Sequence, residues 1–173
     1  MRETLHEAPD RHAAPLASLC VGRLLLAVPL RDLQSLEPIL DVDRQNRDGR
    51  SAGTIELRTG PCPVFCVDEA LTVVGEPSPD QRICAILAGG EAGSFGIICS
   101  AVESLGGDAL ASFDVPACMA AADSPIDGLA LHGRRVFCRT TGAALARFVT
   151  TGSADEPERL LEELDPGADE VFA

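Results

Sequence analysis

Ser94 sits in Ala92-Gly93-Ser94-Phe95-Gly96, the setting in this 173-residue chain nearest to that of an acyl-transfer nucleophile. A nucleophile elbow needs a strand before its serine and a helix after it, so that the hydroxyl stands exposed on a sharp turn. Here glycines precede Ser94 and an apolar, strand-like run through Cys99 follows, so the serine belongs to a hairpin. Gly90, Gly93 and Gly96 fail as a dinucleotide loop for the same reason: no helix N-terminus follows to hold a pyrophosphate. His132 stands at the mouth of a hairpin without a nucleophile or base beside it in sequence and reads as a solvated turn residue. Asp68 and Glu69 are adjacent, so their carboxylates point apart along the backbone. They read as the start of a short helix, whose positive end they favour. No nucleophile, base and anion-binding group come together, and the expectation is a protein that is not an enzyme.

The seven cysteines (Cys20, Cys62, Cys66, Cys84, Cys99, Cys118 and Cys138) raise metal and redox chemistry next. No pair is spaced C-x-x-C, and the three histidines lie outside any ligand cluster, so no metal and no cofactor is expected. Five of the thiols fall in apolar, strand-like runs, where a free cysteine behaves as a small hydrophobe. Cys84, Cys99 and Cys138 are therefore expected to be buried, reduced and metal-free. The 14 basic residues are all arginine. Without lysine there is no phosphate-loop lysine and no Schiff-base anchor. A net charge of −13 argues against nucleic acid, whose binders neutralise phosphates with clustered cations. No apolar run approaches the ~18 residues of a membrane span, and the N-terminus carries acids without an apolar block. The expected location is cytoplasmic, with no direct membrane insertion.

The elements that position these residues are short. A chain that is 46% hydrophobic but only 3% aromatic builds an aliphatic core. Residues 1–18 lack periodicity and read as a mobile extension, with order beginning at Leu19. Runs 19–21 and 24–28 flank the two-residue turn Gly22-Arg23. Leu30, Leu33 and Leu36 fit either a helical turn or a strand, and 41–51 is a polar loop. Runs 54–57 and 64–67 form a hairpin with Arg58 presented at its apex. Residues 68–71 allow at most a short helix, and the prolines at 77 and 79 break the chain. Runs 82–88 and 95–102 are apolar at most positions, as buried strands are. Runs 129–131 and 135–138 make another hairpin, and 143–149 is a short helix. Val64-Phe65-Cys66 recurs as Val136-Phe137-Cys138, the kind of echo that two similar small barrels leave. From Thr151 the chain holds eight acids against Arg159 alone. Pro157 there opens a short helix with Leu160, Leu161 and Leu164 on one face, read either as a solvated tail or as a docking helix.

Residues 53–67, GTIELRTGPCPVFCV, also resemble without a gap the signature of the CheW family of chemotaxis adaptors. Gly53, Ile55, Leu57, Arg58, Pro63 and Val64 fall on matching positions. Glu56 stands where Asn is usual, Thr59 where Gly is usual, and Cys66 where Asp is usual. Residues 25–36, 82–105 and 126–145 resemble further family segments in the right order. The resemblance implies an all-β fold of two small five-stranded SH3-like barrels packed together, with short helices at junctions and at the C-terminus. It implies a CheW-like domain over 19–150, between the extension 1–18 and an acidic tail 151–173. It further implies an adaptor without catalytic residues, bridging a chemoreceptor cytoplasmic tip and the regulatory domain of a histidine kinase. Arg58 falls in the contact surface, and Leu33 and Val102 match positions near the receptor-facing groove. Family members carry Asp at three junctions where this chain has Cys66, Ser100 and Thr140. Two alternatives stand beside the adaptor. One is a degenerate CheW-like module for another partner, as in pilus-motility signalling; the other is a thiol-dependent regulator using Cys62 or Cys66.

Overall fold

Strands β7 (Ile83–Ala88) and β8 (Ser94–Cys99) are apolar at nearly every position because each of their faces meets a different core. Ala85, Leu87, Phe95, Ile97 and Cys99 face one cluster, while Cys84, Ile86 and Ile98 face another. A period of two along the strand sorts a continuous apolar run into two sets. The computed structural model describes residues 14–106, 110–116 and 124–151. Before the pair just named come β1 (Leu16–Val21), β2 (Leu24–Pro29), β3 (Leu33–Pro38), β4 (Gly53–Leu57), β5 (Gly60–Val67) and β6 (Val73–Val74). After it come β9 (Ala101–Leu105), β10 (Leu110–Asp114), β11 (Gly128–His132), β12 (Arg135–Arg139) and the helix α1 (Gly142–Thr151).

Two sheets result. One has the order β10-β11-β12-β2-β1-β9; the other runs β3-β7-β8-β5-β4, with β6 added to β5. Both contain the same five-strand path. A hairpin (β11-β12 or β4-β5) lies parallel to the first strand of a second hairpin (β2-β1 or β8-β7), which an antiparallel edge strand extends (β9 or β3). The repeated tripeptide falls on β5 and β12, the strands that make the parallel pairing in each sheet. These are the two small SH3-like barrels of the expected all-β fold, each with one strand beyond the five-strand path.

Curling is dictated by chain length. Six flat strands at ~4.8 Å spacing would hold β9 and β10 about 24 Å apart, whereas the five steps from Leu105 to Leu110 reach about 18 Å at most. In the other sheet Asp43 and Thr54 exchange backbone hydrogen bonds of 2.8 and 3.0 Å, which bring the segment after β3 onto the far edge strand β4.

Each barrel keeps its own core: Leu16, Ala27, Leu105, Leu110, Ala130 and Phe137 in the first, and a cluster including Ile55, Val64, Cys66, Cys84 and Ile86 in the second. A third, larger core joins them. Leu19, Val21, Leu26 and Val28 of the first sheet meet Phe65, Leu87 and Ile97 of the second, and Leu145, Ala146 and Val149 of α1 complete it. Full burial of one such leucine or isoleucine contributes about 2 kcal/mol. α1 begins where two side chains take up its free amides: Asp32 Oδ2 accepts from Gly142 N at 3.0 Å and Thr141 Oγ1 from Ala144 N at 3.1 Å. Gly142 is required there, since a Cβ would collide with the Ala88 carbonyl oxygen.

Several expectations are corrected. β1 starts at Leu16, three residues before Leu19, because that segment pairs on both sides, with Leu16 opposite Pro29 and Leu105. The Leu30–Leu36 region divides into a 3-10 turn (Leu30–Asp32) and β3. No helix forms over 68–71: Asp68 Oδ1 accepts from the Ala70 and Thr72 amides at 2.9 and 2.8 Å, a closed turn in which Leu71 takes φ +60°. Cys84 and Cys99 are buried, whereas Cys138 is only half-buried. Cys118, residues 1–13 of the expected extension, and the tail from 152 with its leucine helix lie outside the described residues. Among the described residues no helix is long and apolar enough to cross a membrane.

Candidate functional site

The β4–β5 hairpin turns at Arg58-Thr59, with Leu57 opposite Gly60 and Glu56 opposite Pro61. Gly60 takes φ +115°, a conformation open to glycine, which lets the strands close over two turn residues. Below the turn, Ile55 and Cys62 anchor the hairpin in the second barrel's core. Arg58 is exposed at the apex. Among the described residues no carboxylate pairs with it, and Glu56 leaves it free.

Leu33 and Val102 belong to a different locale. They lie on β3 and β9, an edge strand of each sheet, and both are half-buried against the core shared by the two barrels. That packing leaves part of each side chain facing outward. Further apolar surface adjoins β3, where Leu36 and Leu40 are exposed.

The three junction positions each hold a structural contact. Thr140 is fully buried, with its hydroxyl donating to the Pro125 carbonyl at 2.6 Å and its amide to Ala27 O at 2.9 Å. Ser100 donates both its amide (2.8 Å) and its hydroxyl (3.0 Å) to Cys20 O. Cys66 donates its S–H to Gln81 Oε1 at 3.3 Å, and that oxygen also accepts from Ser78 N at 2.8 Å. Gln81 is a buried polar residue that sequence reasoning missed. Its flanks, Pro79-Asp80 and Arg82, read as loop, and its partner Cys66 lies 15 residues back. Arg139 was missed too: it donates to Asp127 at 2.8 Å and Asp114 at 2.7 Å, tying the ends of β10 and β12 to the strand entry before β11.

Cys62, Cys66, Cys84 and Cys99 are poor nucleophiles in this setting. Burial pushes Cys62 up to about 11; it does the same for Cys66, where Asp68 adds to the rise and Arg44 opposes it. Cys84 and Cys99 are pushed up to about 12, again chiefly by burial. Thiolate is the reactive form, so these sites resist alkylation and exchange. Ser94 opens β8 and donates to Gln34 Oε1 at 2.8 Å, an amide that cannot act as a base. His132 ends β11 in the other sheet, so the serine and the histidine form no pair.

The architecture is shared with a solved structure, that of the scaffolding protein TtCheW from Thermoanaerobacter tengcongensis. The likeness covers 77% of this chain and 89% of that one, with a TM-score of 0.54 at 19% sequence identity. No family model matches the chain, and no curated protein matches it. The chain therefore has the same two-barrel fold as that scaffolding protein, at low sequence identity.

Proposed function

We propose that the chain is a non-enzymatic adaptor of chemotaxis-type signal transduction, acting in the cytoplasm and coupling a chemoreceptor tip to the regulatory domain of a histidine kinase. The observation that carries this reading is Arg58. It is an unpaired, exposed arginine at the apex of a hairpin anchored in the core, on the fold of a scaffolding protein. Arginine is enriched at protein contacts because its planar fork meets a carboxylate through two hydrogen bonds. Leu33 and Val102 supply apolar contact on a second part of the surface, toward the receptor. The buried, raised thiols disfavour the thiol-dependent regulator, since Cys62 and Cys66 offer little thiolate at neutral pH.

Titration of the full chain against a receptor-tip fragment and a kinase regulatory domain tests the proposal. A micromolar contact amounts to about −8 kcal/mol, and loss of an anchor arginine typically costs about 2 kcal/mol or more. Arg58→Ala is expected to weaken binding roughly thirtyfold, and Arg58→Lys to weaken it less, with unchanged circular dichroism. Wild-type binding by both variants refutes the role of Arg58. No binding by the wild type to either fragment favours a degenerate module with another partner.

A further inference from the structure

At the end of β5 remote from Arg58 lies a cleft of about 380 Å³. Its apolar floor includes Val21, Val67 and Val74, and three carboxylates stand around it: Asp68, Glu69 and Glu76. Acidic residues alone select nothing, but here a buried amide adds a second requirement. Gln81 is only 5% exposed and lines the cleft. Its Oε1 is occupied by Ser78 N and Cys66 Sγ, which fixes the orientation of the amide, because the opposite one would set two donors against each other. Nε2 reaches no acceptor among the described residues. Every fully enclosed side-chain nitrogen or oxygen there is hydrogen-bonded, so Nε2 keeps some open surface, on a residue that lines the cleft. A ligand that satisfies this site brings positive charge for the carboxylates and an acceptor for one N–H.

We infer that the cleft takes an arginine residue of a partner polypeptide. Its guanidinium would meet Asp68 and Glu76, and a backbone carbonyl beside it would accept from Gln81 Nε2. Asp68 Oδ1 is used by the turn amides, which leaves Oδ2 for the ligand. The rim already shows what these acids hold: Arg23 Nε lies 3.0 Å from Glu69, and Arg47 Nη2 lies 3.7 Å from Glu76. Carboxylates on two separate loops suit a planar, five-donor fork better than the compact, strongly hydrated ammonium of lysine. The valine floor packs against the methylene stem. β5 has eight residues, so about 23 Å separates this cleft from the Arg58 turn. The chain thus presents a cation at one end of a strand and a cation receptor at the other.

The probe is the peptide N-acetyl-Ala-Arg-Ala-amide, titrated into the full-length chain and followed by calorimetry and amide chemical shifts. Three comparison ligands are its lysine and citrulline analogues and agmatine, which keeps the guanidinium but has no carbonyl. The arginine peptide is expected to bind at least fivefold more tightly than each of the three, shifting the amides of residues 68–81. Glu76→Gln and Asp68→Asn should each weaken it fivefold or more; Asn keeps the turn-accepting oxygen. Agmatine tests the Gln81 N–H without altering the chain, and Glu76→Gln tests the carboxylates without disturbing the fold, because its side chain is largely exposed. Arg23→Ala should tighten binding by freeing Glu69, while Arg58→Ala leaves it unchanged. Equal binding of the lysine peptide or agmatine overturns the assignment, and so does equal tightening by Arg58→Ala, which marks a general effect of charge. Because Arg58 reports on the adaptor surface and Glu76 on the cleft, either reading fails without the other.

Discussion

Thr140 donates its hydroxyl hydrogen to the carbonyl of Pro125 across 2.6 Å in a fully buried setting, joining the end of β12 to the segment that leads into β11. A threonine can make this bond and an ionised carboxylate, which has no hydrogen to donate, cannot. Thr140→Val keeps the shape and strands the carbonyl. It should destabilise the chain by about 1–3 kcal/mol in urea unfolding, with Thr140→Ser losing less.

Asp32 caps α1 from 110 residues away. Asp32→Ala removes the acceptor for the first helical amide and should cost about 1 kcal/mol. The loss should be local as well as global, so hydrogen exchange at Ala143, Ala144 and Leu145 is expected to accelerate more than exchange in β1. Equal acceleration everywhere would show that the cap has no special hold on the helix.

The buried thiols set a direction for alkaline stability. The folded-state values of Cys84 and Cys99 lie near 12, above the ordinary thiol value of 9.0. Their neutral forms therefore favour the native state below pH 9, and this contribution is lost as pH rises from 9 toward 12. Each group lowers stability by up to about 1.4 kcal/mol per pH unit in that window. Urea midpoints should be flat through neutral pH with respect to these groups and fall above pH 9. Cys84→Ala should flatten the fall, whatever it costs at neutral pH.

Leu33 and Val102 can be separated from simple packing residues by measuring two properties together. Each alanine variant should lose about 1–2 kcal/mol of stability, as half-buried aliphatics do. If they face the receptor, both should also weaken binding to the receptor tip at 25 °C, where the variants stay folded, and spare binding to the kinase domain. Loss of stability with intact receptor binding would leave them as packing residues.

The sheet elements were legible wherever the signal was local. The 53–67 hairpin was, because Gly60 and the flanking apolar runs announce a turn between strands. β7 and β8 were recognisable as buried, though not the reason: their alternate residues serve two cores, a fact that appears only once the second barrel stands beside the first. Leu16 was hidden because its neighbours Ala17 and Ser18 are small and its partners, Pro29 and Leu105, are remote. Asp68-Glu69 misled because an acid that opens a helix and an acid that closes an Asx turn look alike in sequence, and only the Ala70 and Thr72 amides decide between them. Arg58 was visible as an apex residue. The cleft was not, since Gln81 gains its meaning from Cys66 and Ser78 together.

The pairing of β2 with β12 bears on how the chain is made. The β1–β2 hairpin has its lateral partners at Ala101–Leu105 and Arg135–Arg139, so it leaves the ribosome long before the strands that complete its sheet. The second barrel, by contrast, draws its strands from Leu33 to Cys99 and can close while synthesis continues. The inner module then offers a preformed wall for the apolar face of the waiting hairpin. The late strands finish the outer barrel around it, a sequence-distant closure that makes the last step the slow one.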